Sequence, residues 1–146
     1  MKPMRVMLLL AALFAAPAWA DEMLMVRSGQ DFPEAMMTLQ ESIAGHGYTV
    51  SRVQRVDIGL TAAGFESDRY RVVFFGVPEE VRRMSARYPG LVPYLPLQIT
   101  LFAEGGETLA ATFDPTLFND MVEPEDRSVL KRWRDDAIAI LGDLRS

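Results

Sequence analysis

The stretch over residues 95–113, LPLQITLFAEGGETLAATF, constrains the fold more than any other part of the chain. It reads as two strands folded back on each other at Gly105-Gly106, because two adjacent glycines supply the positive φ angles of a tight hairpin turn. Leu97, Ile99 and Leu101 alternate along the first arm and Leu109, Ala111 and Phe113 along the second. Side chains of a strand point alternately to its two faces. If both apolar sets face the same layer of helices, then Gln98, Thr100, Thr108, Ala110 and Thr112 form a small polar patch on the open side of an antiparallel sheet. Thr49 and Ser51 extend that patch if the strand at residues 48–56 keeps the matching register.

The remaining pattern supplies the layers around this hairpin. EMLMVRS is a short strand. In DFPEAMMTLQESIAGHG, Asp31 is placed to cap a helix, Pro33 sits in its first turn, Glu34 follows three residues after the cap, and Met36, Leu39 and Ile43 recur at helical spacing. YTVSRVQRV reads as a strand, residues 57–68 as a loop with at most one helical turn, and RYRVVFFG as a second, more buried strand. Because residues 72–75 are apolar on both faces, that strand asks for a cover on each side of the sheet.

After Gly76 the pattern turns helical. Pro78 opens the segment, Glu79 and Glu80 occupy the first turn, and Val81, Met84 and Tyr88 share a face. A strand, a glycine and a helix start are also the parts of a phosphate-binding loop. Here the loop is short, has no lysine and carries two carboxylates where the anion would sit, so it reads as a turn. A last helix places Val129, Trp133, Ile140 and Leu144 on one stripe. Strands with helices at both ends make an α+β two-layer domain.

The first residues belong to transport rather than to the fold. Lys2 and Arg5 precede an apolar run and then PAWA, the pattern of a secretory signal peptide cleaved after Ala20, leaving residues 21–146 as one domain. The 15 residues from 6 to 20 fall short of the roughly 18 that a membrane span needs. The expected location is therefore periplasmic or secreted, with no stable membrane insertion. The chain has no cysteine, which excludes a lipoprotein anchor, disulfides and covalent c-type haem. Loss of residues 1–20 leaves 13 basic against 20 acidic residues, a formal charge of −7. Nucleic acid is excluded on that ground, since its binding draws on phosphate neutralisation.

Few residue types offer chemistry. His46 is the one histidine and stands between Gly45 and Gly47 at a helix end, with no second histidine or cysteine to complete a zinc site. Met23, Met25, Met36 and Met37 cluster early, which raises Cu(I) as a ligand, but core filling explains Met36. Asp135 and Asp136 read as a solvated pair. Arg52, Arg55, Arg69 and Arg71 lie on two strands expected to be neighbours, although strict alternation puts Arg52 and Arg55 on opposite faces unless a bulge intervenes.

The helix ending AGHGYTV, then RVDIGLTAAG, RVVFFGVP and above all YLPLQITLFAEGGETLAATFDP together resemble the family catalogued as domain of unknown function 302, over roughly residues 23–118, most of the chain after residue 20. Gly76, Pro78 and Leu95-Pro96-Leu97 match its pattern, whereas Val77 stands where Asn is usual and Ile58 where His often follows Asp57. The resemblance implies a β-α-β-β-β-β-α order, a curved four- to five-stranded sheet shaped like TATA-binding domains with helices on one face, and a homodimer; it implies no activity.

The expected function is that of an exported binding or accessory module, taking a small ligand or protein partner at the open sheet face or dimer cleft, with Asp57, Arg71, Gln98, Thr100, Thr108 and Thr112 as candidate ligand residues. No catalytic residue, metal ligand or cofactor is assigned. Two alternatives are a hydrolase or isomerase using Asp57 with an arginine, and a metal- or haem-handling protein relying on methionine or His46.

Overall fold

The computed structural model describes residues 22–145, so the expected signal peptide lies outside the described residues. In chain order the elements are β1 (Met23–Ser28), α1 (Phe32–Gly45), β2 (Thr49–Arg55), α2 (Val56–Ala62), β3 (Tyr70–Gly76), α3 (Pro78–Arg87), β4 (Leu97–Glu104), β5 (Glu107–Phe113) and α4 (Arg127–Asp143). Short 3-10 turns at Pro89–Tyr94 and Pro115–Met121 carry the chain into β4 and away from β5. The five strands form one antiparallel sheet in the order β1-β5-β4-β3-β2. The α+β two-layer reading and the extra helix after Gly76 are as expected.

Local chemistry explains the main boundaries. Asp31 caps α1, its carboxylate accepting from the Glu34 N–H at 2.9 Å. Phe32, Ala35, Leu39 and Ile43 then fall on the buried face. In α4 the buried stripe is Leu130, Trp133, Ala137, Ile140 and Leu141, continued by Leu144 just past the helix end; Val129 lies at its margin, so the stripe is rotated slightly from the sequence reading. Helix α2 makes two turns where a loop was expected. Its residues are not fully buried, and an ion pair from Asp57 to Arg71 fastens it to β3.

One expectation is overturned. Gly105 and Gly106, at φ 59° and 84°, form a turn of two residues, so Glu104 pairs with Glu107, Phe102 with Leu109 and Leu101 with Ala110. Such a turn pairs odd-numbered with even-numbered residues, and cross-strand partners share a face. Leu97, Ile99 and Leu101 therefore join Thr108, Ala110 and Thr112 in the buried layer, while Leu109, Ala111 and Phe113 share the opposite face with Gln98 and Thr100. Thr108 and Thr112 do not belong to an open polar patch. Buried among helices, their hydroxyls are satisfied by backbone carbonyls: Thr108 Oγ1 donates to Gln30 O at 3.1 Å and Thr112 Oγ1 to Gln98 O at 2.6 Å.

Candidate functional site

The face of the sheet away from α1 and α4 is built in rows. One row runs Met25, Ala111, Thr100, Val72 and Gln54 across all five strands. Beside it lies Arg27, Leu109, Phe102 and Tyr70. On the other side, Met23 pairs with Phe113, and Gln98 with Phe74 and then Arg52. Met23 and Met25 are 52% and 57% exposed, and Val72, Phe74, Phe102, Leu109 and Phe113 are half-buried. Tyr70 meets Phe102 edge to face at 5.9 Å, and Phe113 is flanked by Tyr94 and Phe118. The body of this surface is thus apolar, with Gln98 and Thr100 on the central strand as its polar middle and Arg27, Arg52 and Gln54 on the outer strands. Among the described residues neither of these two side chains has a hydrogen-bond partner, so their donors and acceptors remain available.

Arg71 and Asp57 are brought together, but elsewhere. Arg71 pairs with Leu101 and so points to the helix side, where its guanidinium binds Asp57 and stacks 5.6 Å from the Phe32 ring centroid. Both partners of this ion pair are only 16% exposed at the side chain. A β-bulge does occur in β2, between Val50 and Arg52, and it shifts Ser51 out of register. It precedes Arg52, so Arg52 on the open face and Arg55 opposite Arg71 still diverge, and the four arginines form no single cluster.

The turn from β3 to α3 borders a groove of about 430 Å³ with Thr49, Ser51, Val81 and Pro96. Glu79 lies against Arg82, and Glu80 is drawn into a network with Arg132 and the Trp133 indole N–H, which donates to it at 2.7 Å. Gly76 is required there by packing: a Cβ at this position would stand 2.6 Å from Val81 Cγ2. His46 caps the end of α1, its Nδ1 lying 2.8 Å from Ser42 O. The methionines do not converge, since Met23 and Met25 occupy the open face whereas Met36 packs against the core on the other side of the sheet. Among the described residues no group of three or more His, Asp or Glu is placed to hold a metal ion, and no helix is long and apolar enough to cross a membrane.

Sequence reasoning read the apolar second face of β3 at residues 72–75 but missed its extension over Phe102, Leu109 and Phe113, although the length of the glycine turn carried it. With the fold and this face in place, comparison gives the relationship. The family described as Domain of unknown function DUF302 matches residues 24–142. The chain belongs to the DUF302 family. A similar solved structure, an uncharacterized conserved protein DUF302 from Bacillus stearothermophilus, superposes with a TM-score of 0.77 at 22% identity, covering 86% of this chain and 100% of that one. That likeness extends the shared fold of this DUF302 protein to a distant relative. No curated protein matches the chain.

Proposed function

We propose that this DUF302 protein is an exported binding module that works as a homodimer, with a second copy covering the open sheet face and enclosing Gln98 and Thr100 as the polar floor of a ligand cleft. One observation carries the reading: the hairpin turns Leu109, Ala111 and Phe113 outward, beside Phe102, Val72 and Phe74. An apolar sheet face of this breadth marks an interaction surface in a soluble domain. A symmetric dimer is the commonest way to cover such a face, because one patch then serves both partners. Export rests on the apolar run and the PAWA signal ahead of Asp21.

Native mass spectrometry of the protein from its host's exported fraction tests both parts. The expected species is a dimer at micromolar concentration whose subunits lack residues 1–20, with any retained ligand visible as added mass. Phe102→Glu and Leu109→Glu are expected to give monomers with an unchanged far-UV circular dichroism spectrum. A bare monomer from the unsubstituted chain would overturn the dimer, and subunits retaining Met1 would overturn cleavage.

A further inference from the structure

The sheet has two outer edges, and they differ. Edge strands expose unpaired backbone groups, which proteins usually blunt with bulges, charges or proline. β2 is blunted by its bulge at Ser51 and by Arg52 and Arg55. β1 has no bulge or proline, and its one charged residue is Arg27 near the end.

Strand geometry says what β1 presents. The Asp114 N–H donates to Glu22 O at 2.9 Å, which makes residues 22 and 114 a hydrogen-bonded pair. In an antiparallel ladder, such pairs alternate with pairs whose backbone groups point away from the partner strand. Leu24 and Val26 therefore spend their N–H and C=O groups on β5, and those of Met23, Met25 and Arg27 point to the free edge. Among the described residues no protein group bonds to them.

Helix α4 runs beside this edge and turns it into a groove of about 590 Å³, walled by Leu24 and Val26 on one side and by Ile138, Leu141 and Gly142 on the other. Ile138 is 43% exposed. Two arginines border the groove. Arg134 is already neutralised, its Nε donating to Asp114 at 2.8 Å, whereas Arg145 has no ion pair among the described residues.

We propose that the β1 edge receives an extended segment of another polypeptide as a sixth strand, its alternate apolar side chains entering the groove against Ile138 and Leu141 and an acidic side chain meeting Arg145. Backbone pairing supplies affinity in strand addition, and pockets for alternate side chains supply selectivity. A second copy of this chain fits less well. Two β1 strands paired about a two-fold axis normal to the sheet would bring the partner's α4 onto the same side, and a groove of about 590 Å³ accepts strand side chains rather than a helix. Strand addition here occupies the sheet's edge, not its open face, and is independent of the homodimer.

The test uses the acetylated, amidated peptide Thr-Val-Thr-Val-Thr-Glu and its Lys-ended counterpart, titrated into the full mature protein and followed by amide NMR. With the Glu peptide, the amides of Met23, Met25 and Arg27 are expected to shift and to exchange about tenfold more slowly, while Leu24 and Val26, bonded already, change little. Met25→Pro should abolish binding without breaking the β1–β5 ladder, because the N–H it removes faces outward. Arg145→Glu should reverse the preference toward the Lys peptide, and Phe102→Glu should leave it unchanged. Shifts confined to Thr100 and Phe102, no saturation at millimolar peptide, or Met23 and Met25 amides already protected in the peptide-free protein by a second copy would each overturn the proposal.

Discussion

At the scale of single residues, Gly76 shows how packing alone can make a position obligatory. Its missing Cβ leaves room for Val81, whose branched side chain is held near one rotamer in a helix and cannot swing aside cheaply. Gly76→Ala is expected to destabilise the fold by about 1–3 kcal/mol. In a double-mutant cycle Val81→Ala should cost less in the Gly76→Ala background than alone. Additive effects in urea melts would mean that α3 moves instead. Trp133 combines burial with a polar handle. It is 3% exposed, and its indole N–H reaches Glu80 on α3. Trp133→Ala should cost on the order of 3 kcal/mol or more, read from denaturant midpoints; less than about 1 kcal/mol would place α4 at the periphery.

At the scale of elements, β5 is where sequence and structure part company, and the cause is arithmetic rather than propensity. Leu109, Ala111 and Phe113 are the more apolar alternate set, so matching them to Leu97, Ile99 and Leu101 is the natural reading of hydrophobicity alone. The turn decides otherwise, since two residues between the arms put Ala110 opposite Leu101 and Leu109 opposite Phe102. Thr112→Val should consequently cost about 1 kcal/mol, because it deletes the hydrogen bond to Gln98 O from the buried layer. Thr100→Val, on the open face, should stay within about 0.5 kcal/mol. Equal effects in thermal melts would contradict the assigned faces.

Helix α1, capped by Asp31, and helix α3, opened by Pro78 with Glu79 and Glu80 in its first turn, were legible because these local signals and a 3.6 period agree with burial. Helix α2 was not, because its short glycine-containing segment depends on the distant Arg71. The candidate residues Gln98 and Thr100 were legible from alternation on one strand. Thr108 and Thr112 required the phase between two strands, and Asp57 with Arg71 required a fold that places α2 over β3.

At the scale of the whole molecule, a cysteine-free domain is tied together by carboxylates reaching between elements. Asp126 accepts from the Tyr88 hydroxyl at 2.5 Å and from Arg83 at 3.1 Å, with Arg87 3.0 Å away; Tyr48 donates to Asp136, and Ser42 to Asp143. The Tyr88 hydroxyl, aided by both arginines, holds the Asp126 carboxyl below its ordinary range. Burial pushes Asp114 up, but the Thr116 hydroxyl and N–H together with Arg134 outweigh it and leave the carboxyl lowered. A carboxyl lowered by folding stabilises above its unfolded value of about 3.9, and that contribution is lost as pH falls through the folded value. Urea midpoints should therefore fall between pH 5 and pH 3, and fall less in Asp126→Asn. An unchanged pH dependence in that variant would mean that Asp126 titrates alike in the folded and unfolded chain.

The two-residue turn also has a genetic corollary. One codon inserted between Gly105 and Gly106 leaves every other residue as it was, yet without a compensating bulge it moves β5 by a single step and turns that strand inside out. The threonines would then meet solvent, and the leucine and phenylalanine would be driven into space filled by smaller side chains. Two inserted codons restore the phase. The division between this protein's interior and its outward apolar face is thus written less in which amino acids the hairpin contains than in whether the number joining its arms is even.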